Sequence, residues 1–164
     1  MIIFGIEISE RIKMNNELLY KYFDDDDFLM ISNKINDSEK ITSGEIRVSI
    51  KENRKLFELR KTIRQLTEKE FSRLGMQNTR DKTGILLYLL LEEKQFYILA
   101  DEGINSKVDQ SEWDNIRDEI QYYFRQGKFT DGIINCIGKV SKILSQFFPI
   151  KADDTNELSN KVEF

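Results

Sequence analysis

The sequence predicts an α/β fold, a three-layer α/β/α sandwich built on a small mixed sheet. Three observations carry this. The alternating stretch EIRVSIK is followed by a helical pattern over residues 54–74 and then by the apolar run GILLYLLL. That is a βαβ unit, whose two strands run parallel. A short turn, EEK, then separates the apolar run from QFYILA, which makes an antiparallel hairpin. Helical patterns stand before and after these strands, enough to cover both faces of the sheet.

The elements follow in chain order. Residues 24–44 predict a helix: Asp24 to Asp27 sit where carboxylates cap free amides and suit the macrodipole, Phe28, Ile31 and Ile35 form the apolar stripe, and Gly44 is the stop. The four aspartates do not fit an EF-hand loop, because position six is Leu29 and position twelve is Ile35. Glu45–Lys51 is the first strand. Residues 54–74 place Leu56, Leu59, Ile63, Leu66, Phe71 and Leu74 at helical spacing, with Gly75 as the stop. The hairpin strands are GILLYLLL and QFYILA. Ser111 and Asp114 resemble a capping box that opens a helix carrying Trp113, Ile116, Ile120 and Phe124, ended by Gly127. A last helix, about 130–147, carries Ile133, Ile134, Ile137, Val140, Leu144 and Phe147 before Pro149. Trp113, Ile116, Leu87, Leu89, Ile98, Ile137 and Leu144 are expected in one core covering both sheet faces.

Composition excludes several functions. The chain has 164 residues, 33% of them charged, a net charge of −4 and no histidine. Without imidazole there is no Ser-His-Asp or Cys-His nucleophile system and no His-ligated zinc. Chemistry must use carboxylates, hydroxyls, Lys, Arg or a metal held by oxygen, which favours calcium or magnesium. The net negative charge gives no general attraction to nucleic acid or anionic lipid, and no nucleic-acid partner is expected. The longest apolar run, residues 85–91, is far short of the roughly 20 residues of a membrane helix. The opening MIIFGIEISERIK lacks the basic start of a secretory signal. The single cysteine, Cys136, forms no internal disulfide and suits a reducing compartment. A cytoplasmic location is expected.

The topology gathers carboxylates. The βαβ unit and the hairpin bring the start of the first strand, the approach to the second and the end of the third to one sheet edge. Glu45, Asp81 and Asp101 emerge there, with Glu102 adjacent and Thr79, Thr83, Gly84 and Gly103 nearby. Like charges at close range repel unless a cation or proton sits among them, so a hard divalent cation is the expected occupant. The alternative is that these acids are separate strand ends facing water. DKTG matches four letters of the aspartyl-phosphate motif of P-type pumps, but the next residue is Ile85 and Asp81 precedes its strand instead of following one. Lys142 stands six residues after Cys136, where a cysteine phosphatase has Arg, and Cys136 lies on an apolar helix face as a core residue.

The ordered pieces EKITSGEIRVSI, LGMQNTRDKTGILLYLL, QFYILADEGI, a helix with Trp113, GKFTDGIINCIGKVSKIL, FFP and DDTNEL resemble the TPM domain family. That family includes thylakoid-lumen proteins of photosystem II repair, an accessory protein of nematode acetylcholine receptors and many bacterial proteins. The resemblance runs from about Phe28 to Leu158. It implies an α/β/α sandwich, an acidic cleft at one sheet edge that binds divalent cations, calcium in particular, and a phosphatase label. By position it assigns Glu45, Asp81 and Asp101 to the metal site. Many bacterial relatives carry a signal peptide and a Gly-rich or transmembrane tail; this chain resembles the short, soluble subgroup. Residues 1–14 are expected as an extension outside the family pattern, with Met14 a candidate start, and 15–164 as one domain. The tail through Leu158 is expected to pack back on the domain, with Asp153, Asp154 and Glu157 as structural caps.

The expected function is a calcium-binding (or magnesium-binding) module. It has metal ligands Asp81, Asp101, Glu45 and Glu102, a monomeric chain, and a protein partner whose class the sequence does not name. The alternative is a slow metal-dependent acid phosphatase in which Arg80 and Lys82 hold phosphate and a metal-bound water attacks. A chaperone or assembly factor for membrane complexes follows from family analogy alone.

Overall fold

A computed structural model describes residues 16–153 and 158–164. The expected extension at 1–14 lies outside the described residues. The described residues open with a short helix α1 (Glu17–Tyr22), whose Leu19 is fully buried. Helix α2 (Asp25–Glu39) starts where the aspartates predict it. Asp24 Oδ1 accepts from Asp27 N at 2.8 Å and Asp27 Oδ2 accepts from Asp24 N at 2.9 Å, so two otherwise orphaned amides are satisfied reciprocally. The helix ends at Glu39, earlier than the Gly44 expected. The segment after it is drawn instead to the end of the chain's last helix. Thr42 Oγ1 donates to the Phe148 carbonyl at 2.6 Å, and Ser43 N donates to the same oxygen.

Strand β1 (Glu45–Lys51) pairs in parallel with β2 (Gly84–Leu90), Glu45 opposite Gly84. Strand β3 (Gln95–Ala100) pairs antiparallel with β2, Ile85 opposite Ala100. The order is β1-β2-β3, the mixed sheet expected from a βαβ unit plus a hairpin.

The crossover differs from expectation. Helix α3 spans only Ile63–Arg73, opened by a capping box in which Thr62 Oγ1 accepts from Gln65 N and Gln65 Oε1 accepts from Thr62 N. Ahead of it stands a single 3₁₀ turn, Leu56–Glu58. Leu56 and Leu59, expected on a buried stripe, are 87% and 65% exposed. Gly75 ends α3 with φ +72°, a conformation that costs glycine nothing. A second 3₁₀ turn, Met76–Asn78, leads into β2.

Beyond β3 a four-residue helix α4 (Glu102–Asn105) precedes α5 (Gln110–Arg125) and α6 (Phe129–Phe147). Asp109, not a Ser111–Asp114 box, stands at the cap of α5. Gly127 and Pro149 terminate α5 and α6 as expected.

The sheet divides the interior in two, which corrects the expectation of one core across both faces. On one face α1, α2, α5 and α6 pack on Ile46, Val48, Ile50, Ile85, Leu87 and Leu89, with Ile116, Ile137 and Leu144 buried and Ile98 and Trp113 partly so. On the other face the crossover contributes Leu66, Phe71 and Met76 against Leu86, Tyr88 and Leu90. The alternation of β2 supplies both sets, because successive strand residues point to opposite faces. The tail returns as expected. Leu158 packs on the smaller cluster, and Glu163 bridges β1, donating to Val48 O at 3.0 Å and accepting from Ile50 N at 2.7 Å. Asp153 pairs with Arg80 at 3.3 Å; Asp154 and Glu157 lie outside the described residues. No helix among the described residues is long and apolar enough to cross a membrane.

Candidate metal centre

The backbone brings the predicted residues to one sheet edge. Glu45 N donates to Thr83 O at 3.1 Å and Asp101 N donates to Gly84 O at 2.9 Å. Glu45, the 81–84 loop and Asp101 are therefore adjacent chain segments, as topology requires of a parallel pair followed by a hairpin.

The side chains divide among different tasks. Asp101 caps α4, its Oδ1 accepting from Glu102 N at 2.8 Å. Its Oδ2 is buried and meets no hydrogen-bond donor among the described residues. A buried carboxylate oxygen without a donor is costly, so this atom suits a cation. Two residues on, Gly103 is pressed against the preceding loop. A Cβ there would lie 2.4 Å from the Asp81 carbonyl oxygen and 2.6 Å from that of Lys82. Lys82 has φ 56°, so the loop turns through the left-handed region as it delivers those two carbonyls.

Asp81 is at the surface. Its Oδ2 accepts from Lys151 Nζ at 2.6 Å, and Arg80 Nε lies 3.9 Å away. The hydrogen bond from Lys151, ahead of the fields of Arg80 and Lys107, holds its carboxyl below the usual aspartate range. Glu102 is exposed. Glu45 is 5% exposed and turned to Arg47, whose Nη2 donates to it at 2.8 Å while Nη1 donates to Glu39 Oε1 at 2.6 Å. Among the described residues no three Asp, Glu or Cys side chains stand together as a metal-holding group.

The donor set tests unevenly against a hard cation. The orphaned Asp101 Oδ2 and the two carbonyls packed on Gly103 fit. Glu45 does not fit while its carboxylate neutralises a buried guanidinium. Thr79 and Thr83 are also engaged. Thr79 Oγ1 accepts from Thr83 N at 3.2 Å, and Thr83 Oγ1 donates to Ser43 O at 3.4 Å.

Two groups escaped the sequence reading. Glu45 and Arg47 stand two apart in a strand, a spacing that places them on one face and that predicts their pairing. Lys151 carries no such signal, being 70 residues from Asp81 and brought there by the returning tail. Cys136 is buried in the α6 face of the core, and burial pushes its thiol up to about 12, which leaves no thiolate for nucleophilic work.

Comparison with known proteins agrees with this architecture. The BA42 protein of the psychrophilic bacterium Bizionia argentinensis, solved by NMR, is 35% identical, with TM-score 0.78 over 87% of this chain and 94% of that one. The N-terminal domain of a P. gingivalis protein shares the fold at TM-score 0.62 and 16% identity, over 77% of this chain and 79% of that one. No curated protein matches the chain. The TPM domain matches residues 20–143, most of the sequence and every strand of the sheet; the chain belongs to the TPM domain family.

Proposed function

We propose that the chain is a divalent-cation-binding module, calcium being the favoured ion, whose occupied edge orders the α4 loop for a partner. The buried, donorless Oδ2 of Asp101 carries this reading. Asp101 would hold the ion, with the carbonyls of Asp81 and Lys82 as neutral donors and Asp81 and Glu102 as further carboxylates. Bound there, the cation supplies neutralisation of the acidic edge. Glu45 keeps its structural pairing with Arg47 and fixes the strand end beside which the loop sits. With few carboxylates and no group of three pre-gathered, affinity should fall in the weak calcium range, about 10⁻⁴–10⁻³ M.

The phosphatase alternative has less support. Lys82 Nζ is engaged by the Gln77 carbonyl, and Arg80 pairs with Asp153 and Asp81, so both cations expected to hold phosphate have other partners.

Calorimetric titration with calcium, run beside thermal unfolding with and without the ion, tests the proposal. Ligand that binds only the folded chain raises its melting temperature by mass action. Asp101→Asn keeps the shape and the α4 cap acceptor while removing charge, so the calcium-induced gain should collapse while the metal-free protein stays folded. A parent protein without calcium stabilisation, or one whose gain survives both Asp81→Asn and Asp101→Asn, refutes the site.

A further inference from the structure

The opposite end of the sheet carries a second feature. The segment 51–64 holds six basic and two acidic residues in a chain whose net charge is −4. At its centre Leu56, Phe57 and Leu59 are 87%, 70% and 65% exposed, the three most exposed large apolar side chains among the described residues. Single exposed apolar residues are ordinary, but three within four positions on one turn are a patch.

The turn is held in this form by bonds that a collapsing loop would not need. Arg54 grips the β2–β3 hairpin through Glu93, its Nη2 donating to Oε2 at 2.8 Å, and donates to the carbonyls of Glu58 and Lys61. The buried Glu58 accepts from Lys55 N at 3.1 Å and pairs with Lys69 at 2.5 Å. Lys69 also lies 4.6 Å from the centre of the Phe57 ring, over its face. Arg54 and Glu58 are thus used inward, and Leu56, Phe57 and Leu59 are presented outward. Around them Lys55, Arg60 and Lys61 have no ion-pair partner among the described residues, whereas Arg54, Arg64 and Lys69 are paired.

We infer that this turn is a peripheral membrane contact. Leu56, Phe57 and Leu59 enter the interfacial layer of an anionic bilayer while Lys55, Arg60 and Lys61 meet lipid phosphates. Charge complementarity selects the occupant, because an anionic surface attracts a basic ring and an apolar tip gains by leaving water. Size argues the same way. A stable protein interface takes about 800 Å² from each partner, more than three side chains supply. The edge of Asp81 and Asp101 lies at the far end of β1, so the docked tip and the candidate cation site stand at opposite ends of the sheet. The inference does not depend on the metal reading.

Flotation of the full chain with vesicles of phosphatidylcholine and phosphatidylglycerol, against phosphatidylcholine alone, tests it. The parent protein should float with the anionic vesicles, and added salt should release it as screening shortens the reach of the basic groups. Leu56→Ser with Phe57→Ser should lower vesicle affinity at least about tenfold. Arg60→Glu with Lys61→Glu should abolish the preference for anionic lipid. Leu56, Phe57 and Arg60 are exposed and Lys61 is partly so, and circular dichroism checks that the variants stay folded. Failure of the parent to bind anionic vesicles overturns the proposal and leaves the tip to a protein partner. Binding by the serine variant equal to that of the parent overturns it as well.

Discussion

Replacing Gly103 by alanine probes the packing of α4 on the 81–84 loop. An alanine Cβ would sit 2.4 Å and 2.6 Å from the carbonyl oxygens of Asp81 and Lys82 and 3.1 Å from the Lys82 carbonyl carbon. All three are backbone atoms that no rotamer change moves aside, so the loop or the helix must shift. Overpacking of this kind costs about 1–3 kcal/mol. Alanine's helix preference over glycine offsets at most about 1 kcal/mol of that, and less in a helix of one turn. The net loss is about 1–2 kcal/mol, which in a chain of this size lowers the melting temperature by about 2–8 °C. Gly138→Ala in α6 is the control. Its Cβ would meet only the flexible end of Lys34, at 3.4 Å, and it should stabilise by up to about 1 kcal/mol. Thermal unfolding followed by circular dichroism reads both. If Gly103→Ala melts with or above the parent, the close approach of α4 to the loop carbonyls is wrong, and with it the cradle proposed for the cation.

Lys151→Met removes the cation that holds the Asp81 carboxylate, so calorimetry should show tighter calcium binding; unchanged affinity would place Asp81 outside the site. Leu87→Ala, at 2% exposure, should cost about 2–5 kcal/mol in denaturant unfolding, and a loss under 1 kcal/mol would contradict its place in the larger core. Burial alone would raise the carboxyl of Glu70, but bonds from Arg73 and Ser49 outweigh it and hold it at about 2, against 4.5 when unfolded. Its stabilising contribution is therefore complete above pH 4.5 and lost as pH falls toward about 2. Glu70→Gln should flatten that part of the acid limb in pH-dependent melting; an unchanged limb would refute the pairing. Cys136 should resist thiol reagents in the native state and react on unfolding, and any phosphate-ester hydrolysis should survive Cys136→Ser.

Local signals sufficed wherever a residue's partners lie within a few positions. The period-2 pattern of EIRVSIK, the hairpin turn, the Asp24–Asp27 box and the stops at Gly75 and Gly127 each satisfy backbone groups close at hand, so the sequence alone determined the mixed sheet and the shared edge of Glu45, Asp81 and Asp101. Side-chain assignment at that edge was not legible in the same way. Glu45 faces Arg47 and Asp81 faces Lys151, because an ion pair forms with whatever charge the fold brings near, and the tail brings Lys151 from 70 residues away. The same distinction explains residues 54–62. Leucines 56 and 59 have a helical period, but the Thr62 cap and the Arg54–Glu93 tie across to the hairpin decide where the helix begins. Periodicity states which residues share a face if a helix forms. Which face finds a core to bury it depends on contacts between segments distant in sequence, and those exist only in the folded chain.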